Sequence, residues 1–190
     1  FGVDKNINIG TIDEWVHRDD VAYVDVRMLL DPGDYEKIGG DPVLSGTVEG
    51  FEVVPYPFLA NLTGLPPEVA ASQYNGDTLF TLTWDADGNI DNVQANFEES
   101  EMIIKDLFPE DRAIFLMCGG GGYAGFTRAL LLELGYDQDK LYNIGGYWQY
   151  DGQKKVHVRV SYGENNAKEY NALHRLNYRL IDFGQLTPKN

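Results

Sequence analysis

The chain is poor in cysteine: Cys118 is the single one among 190 residues. One thiol cannot close an internal disulfide or build a cysteine-only metal site, so neither can stabilise the fold. Positive charge is scarce as well, with 15 Lys and Arg against 30 Asp and Glu, a net charge of −15. A field of that sign repels phosphate and argues against a nucleic-acid or anionic-membrane surface. No apolar run approaches the roughly 18 residues that a membrane-spanning helix needs. The three histidines, His17, His157 and His174, lie far apart and none is near Cys118, so no metal site and no cofactor are expected. The chain also has no initiator Met. It opens at Phe1, which suggests a processed protein and leans towards export or the cell envelope.

What remains is the composition of a folded domain, 43% hydrophobic and 24% charged, long enough for one domain with a proper core. Thr11 followed by Glu14 has the form of a capping box and predicts a short helix, with Ile12, Trp15 and Val16 on one face. VAYVDVR, residues 21–27, reads as a buried parallel strand with polar groups at its C-terminal end, the end where open α/β sheets hold ligands. TVEGFEVVPYP predicts another short strand stopped by Pro55 and Pro57. Tyr35 and Ile38 suggest one helical turn in the connection before it, and Pro66 and Pro67 the start of a short helix after it. Alternation on both sides of DADGN predicts a β-hairpin over about residues 79–96, placed as an insertion at the sheet's edge. The same run, Asp85, Asp87, Asn89 and Asp91, has calcium-loop-like spacing but lacks the downstream Glu, so a turn is favoured. FEESEMIIKDLFP predicts a helix closed by Pro109, KLYNIGGYWQY a strand running into paired glycines, and KKVHVRVSY a further strand. AKEYNALHRL is helical in pattern, and YRLIDF fits a strand. Asn61-Leu62-Thr63 is a glycosylation sequon.

The chemistry centres on AIFLMCGGGGYAGFTRALLLELGY, residues 113–136: an apolar strand, Cys118, four glycines and an apolar helix. Backbone amides of Gly119, Gly120, Gly121, Gly122 and Tyr123 can curl round the sulfur, because glycine tolerates the positive φ that such a nest needs. A helix starting near Tyr123 adds partial positive charge at its N-terminus. Both favour the thiolate, the reactive form, and would hold a persulfide. The alternative is a buried, inert cysteine beside a tightly packed turn.

On these stretches residues 11–150 resemble a rhodanese (sulfurtransferase) domain: VAYVDVR, VLSGTVEGFEVVPYP, the cysteine loop, and LLLELGYDQDKLYNIGGYW. The resemblance implies an α/β fold with a mostly parallel central sheet flanked by helices. Residues 58–97 would be an insertion carrying the hairpin and residues 151–190 a C-terminal extension, within one domain spanning 1–190. It implies that Cys118 carries sulfane sulfur from a small donor to a thiol acceptor, and that Asp25 and Arg27, matching the family's DVR, orient the loop or line its mouth. The pairing of Asp25 and Arg27 with each other is the simpler alternative. The family's loop has an Arg five positions after the Cys, then Ser or Thr; here those positions hold Tyr123 and Ala124. The family's His before the second strand is also missing. These departures argue against thiosulfate as donor. They also favour the alternative of a catalytically inactive binding or scaffold module. Arg128 is a candidate stand-in for the lost cation, although helix geometry turns it elsewhere. Trp148 reads as a pocket wall or core residue.

Overall fold

The structure is a computed structural model that describes residues 5–29, 46–62, 76–156, 159–171 and 181–189. Its centre is a parallel sheet of four strands in the order β3-β1-β6-β7, with β1 Val21–Asp25, β3 Glu52–Val53, β6 Ala113–Cys118 and β7 Leu141–Gly146. The middle strands are near-continuous apolar runs because both of their faces are buried. Along β6, Ile114, Leu116 and Cys118 enter one core, while Phe115 and Met117 enter the other. Strand β1 divides in the same way, Val24 to the first core and Val21 and Tyr23 to the second.

The first core is roofed by three helices, α1 Tyr56–Leu59, α2 Ser100–Leu107 and α3 Gly122–Glu133. Helix α3 buries Ala124, Thr127, Leu130 and Leu131, a stripe at helical spacing. It ends in a Schellman motif: Gly135, at φ +90°, and Tyr136 donate their N–H groups to the Leu132 and Leu131 carbonyls at 3.0 Å each. The Tyr136 hydroxyl then donates to the Phe108 carbonyl at the end of α2 (2.8 Å), tying the two helices together. The second core packs Ile12, Val48, Phe51, Phe115 and Tyr150 beneath the opposite face.

The hairpin forms from β4 Phe80–Trp84 and β5 Ile90–Ala95, turning through Gly88 at φ +83°. The Asp85 carboxylate accepts from the Asp87 and Asn89 amides at 2.9 and 2.8 Å, so the acidic run serves as the turn. Contrary to expectation, the hairpin does not extend the central sheet. It is a separate two-stranded sheet whose Phe80 and Leu82 pack into the first core. Asn61 clasps it by accepting from Leu82 N (2.6 Å) and donating to Leu82 O (3.1 Å), so the amide of the sequon is already engaged.

Three other expectations change. The turn at Ile12–Glu14 is a 3-10 helix without a side-chain cap, because the Thr11 hydroxyl donates back to the Asn6 and Asn8 carbonyls instead. TVEGFEVVPYP makes two short strands around Gly50 (φ +87°): β2 Thr47–Val48 pairs antiparallel with β8 Lys155–Val156, and β3 joins the central sheet. The start of AKEYNALHRL is strand β10, Lys168–Asn171, antiparallel to β9 Arg159–Tyr162. Cross-strand pairing overrides a weak local helical pattern there. The expected turn around Tyr35 and Ile38, the helix at Pro66 and Pro67, and the first half of YRLIDF lie outside the described residues.

Candidate active site

Cys118 is the last residue of β6, with Gly146 of β7 as its register partner. Side-chain alternation turns its sulfur towards the α3 side of the sheet. The residue is 3% exposed. The Gly121 N–H donates to Sγ at 3.0 Å. Gly121 is the N-cap of α3 and stands at φ +94°, a conformation that glycine adopts without strain. The Gly125 N–H to Gly121 carbonyl bond (3.0 Å) opens the helical ladder. The amides of Gly122, Tyr123 and Ala124 therefore precede it without intrahelical partners, and the positive end of the α3 dipole lies at the sulfur loop.

The loop is held from outside by side chains and backbone of β7 and the turn after it. The Trp148 N–H donates to the Gly119 carbonyl (3.0 Å), and Asn143 Nδ2 donates to the Gly121 carbonyl (3.0 Å). Asn143 Oδ1 accepts from the Gly145 amide (3.0 Å) and is thereby fixed itself. Contact is close enough that only glycine fits at two places. A methyl group on Gly119 would lie 2.6 Å from the Trp148 ring. One on Gly146 would overlap the Gly119 carbonyl and stand 2.7 Å from Gly120 Cα.

The expected site residues fall into two groups. Cys118 and residues 119–123 come together as one strand–loop–helix unit. Within it the Tyr123 side chain stacks on Tyr56, ring centroids 5.5 Å apart, with its hydroxyl buried and without a hydrogen-bond partner among the described residues. Burial beside this second phenol pushes the Tyr56 hydroxyl above the usual tyrosine range. Asp25 and Arg27 form the other group. Asp25 pairs in register with Met117, so its side chain enters the face opposite to Cys118. It is fully buried and accepts from Arg27 Nε (3.0 Å) and the Thr47 hydroxyl (2.8 Å). Arg27 also donates to the Gly46 carbonyl (2.9 Å) and lies over the Tyr147 ring at 4.2 Å. These two residues pair with each other and lock β1 to β2. Arg128 is likewise engaged, donating to the Leu141 carbonyl at 3.0 Å.

Three residues outside the expected site set also shape the site: Asn143, which the sequence did not single out, and Gly146 and Trp148, which it read as part of a glycine pair and as a pocket wall or core residue. The glycine pair carried a signal, because Gly145 needs its positive φ of +106° and Gly146 needs its missing side chain. Trp148 is not a core residue, being 78% exposed with its ring lying along Gly119 and Gly120. A separate surface concavity, of about 370 Å³ and lined by Asn92, Gln94, Glu101 and Lys189, lies along β5 away from this loop. No helix among the described residues is long and apolar enough to cross a membrane.

Comparison with protein-family models, curated proteins and solved structures yields no match. Function is therefore read from the chemistry of the site itself.

Proposed function

We propose that the protein is a rhodanese-like sulfurtransferase or persulfide carrier in which Cys118 is the catalytic nucleophile. The observation that supports this most directly is the 3.0 Å hydrogen bond from Gly121 N–H to Sγ at the N-terminus of α3. A donor amide and a helix N-terminus beside a sulfur can hold the negative charge that develops when sulfur is transferred there. The four-stranded parallel sheet, with the thiol at the C-terminal end of a central strand, agrees with the fold that the resemblance implies. The Cys118 thiolate attacks the terminal sulfur of a sulfane donor and forms Cys118–S–SH, and the donor leaves one sulfur shorter. A thiol acceptor then takes that sulfur. The amides of residues 121–123 stabilise the outer sulfur when it is ionised.

The test is intact-mass spectrometry after incubation with inorganic polysulfide, thiosulfate and a thiol persulfide. The expected result is a gain of roughly 32 Da, one sulfur atom, on the Cys118 thiolate from polysulfide and thiol persulfide, little from thiosulfate, and none in Cys118→Ser. Absence of added sulfur from every donor would sink the reading. The 3% exposure of Cys118 favours a second reading, a catalytically silent binding module on the same fold. Full biological activity of Cys118→Ser would select it.

A further inference from the structure

We infer that Trp148 is an aromatic subsite beside the thiol, and that the sulfur acceptor is a small uncharged thiol bearing an aromatic or flat apolar group. The inference rests on the carrier reading above and adds the class of its second substrate.

Large apolar side chains are normally withdrawn from water, and an exposed one at a site calls for a reason. Trp148 is 78% exposed, yet it is not loose. Its N–H is bonded to the Gly119 carbonyl, and its ring lies against Gly119 and Gly120, where the absence of two Cβ atoms makes room. One edge of the indole is thus docked on the residues next to Cys118 while most of its surface remains open to solvent. The exposed face of the ring can stack a flat group beside the loop that follows Cys118. Among the described residues the other exposed large apolar side chains, Met102 and Tyr162, belong to α2 and β9, which favours a small ligand at Trp148 over a broad apolar protein-docking face.

Charge points the same way. Among the described residues, Arg27 is engaged by Asp25 and Gly46, Arg128 by Leu141, and Lys155 lies over the Tyr147 and Tyr150 rings. With a net charge of −15, an anionic acceptor would meet repulsion, and none of these three cations is free to clamp it. In the transfer, the acceptor thiolate R–S⁻ attacks the outer sulfur of Cys118–S–SH. A new S–S bond forms, the Cys118–S bond to that sulfur breaks, and the proton stays on the transferred atom. The products are R–S–SH and the Cys118 thiolate.

The experiment loads Cys118 with inorganic polysulfide, removes excess reagent, and follows loss of the added sulfur by mass. Two acceptors of similar basicity are compared, phenylmethanethiol and 2-mercaptoethanol. Each rate is divided by that of the same thiol with a free alkyl persulfide. The expected preference of the wild-type protein for the aromatic thiol is roughly two- to twelvefold, the range of one aromatic pair. Trp148→Ala should abolish that preference, bringing the two normalised rates to parity. Trp148→Leu, which keeps apolar contact without the ring, is the second variant should the alanine variant fold poorly. A wild-type preference of unity, or one that survives in both variants, overturns the inference alone. Failure of Cys118 to load any sulfur overturns the carrier reading and the inference with it.

Discussion

Gly146→Ala should damage the protein more than a single methyl group suggests, and for a steric reason. Gly146 sits at φ −120° and ψ 136°, ordinary extended backbone that alanine adopts freely. Its neighbour Gly145, at φ +106°, is the conformational case, and a methyl there would meet Ile9 at an unstrained 3.5 Å. At 146 the methyl would overlap the Gly119 carbonyl and approach Gly120 Cα to 2.7 Å. A third clash, 2.6 Å from Gln149 Oε1, is cheap because that side chain can swing aside. The two backbone clashes cannot be relieved so easily. Gly119 O already accepts from Trp148 N–H, and Cys118 is in register with Gly146 across the sheet. Relief requires the loop to lift from β7. Overpacking of this kind costs about 1–3 kcal/mol. For a chain of this size that is a fall in Tm of about 2–12 °C. The assay is thermal unfolding followed by near-ultraviolet circular dichroism, paired with the rate at which a bulky disulfide reagent reaches Cys118. Both should change: Tm falls and the 3%-exposed thiol becomes easier to reach. Gly146→Ser should be no better, because the fault lies at Cβ. A Gly146→Ala protein with unchanged Tm and unchanged thiol access would refute the packing argument.

Asp25→Ala should cost about 3–5 kcal/mol by denaturant titration, because it strips the buried partner from Arg27. The double variant with Arg27→Met should regain part of that loss, whereas simple additivity would contradict the pairing. Glu99 holds the C-terminal strap by accepting from Thr187 N (2.9 Å) and Oγ1 (2.8 Å), and these bonds lower its pKa below the ordinary 4.5. A lowered folded pKa means that its contribution is complete above pH 4.5 and is lost as pH falls through the depressed value. Amide exchange at Thr187 and Lys189, corrected for intrinsic rate, should therefore accelerate on acidification, and Glu99→Gln should reproduce the loosening at neutral pH. Equal protection at pH 3 and pH 7 would count against the clamp. Loading of Cys118 by anionic polysulfide should speed up with added salt, since screening weakens the repulsion from a net charge of −15. A fall in rate with salt would instead reveal a cation at the site.

The strands and helix that carry the thiol were legible because their signals are local. AIFLMC is too uniformly apolar for a half-exposed strand, and a glycine run after it reads as a turn, which residues 119–121 form before Gly122 opens α3. The hairpin was legible from alternation and from an Asp that bonds its own turn. What escaped was set by distant partners. Val48 pairs with Lys155, and the AKEYN segment is a strand only because β9 lies beside it. The relation of Asp25 to Arg27 was half legible. Residues two apart on an extended chain share a side, so a mutual ion pair was the local solution, and the register with Met117 then put it opposite to Cys118. Trp148 was illegible as a surface residue, since nothing in GGYWQY distinguishes an indole lying on a loop from one buried in a core.

The cradle owes its orientation to what holds its carbonyls. In a trans peptide the C=O and the following N–H point in opposite directions. Trp148 N–H fixes Gly119 O, and so directs the Gly120 N–H away from Trp148. Asn143 Nδ2 and Gly125 N–H fix Gly121 O, and so direct the Gly122 N–H towards the free end of α3. Between them the Gly121 N–H is left facing Sγ at 3.0 Å. Each of these anchors is neutral. A loop held by neutral bonds keeps its shape across changes of salt and pH that would loosen one tied by ion pairs. In so acidic a chain, an inward amide set by outward-held carbonyls offers the sulfur a donor without a fixed positive charge that would also attract competing anions.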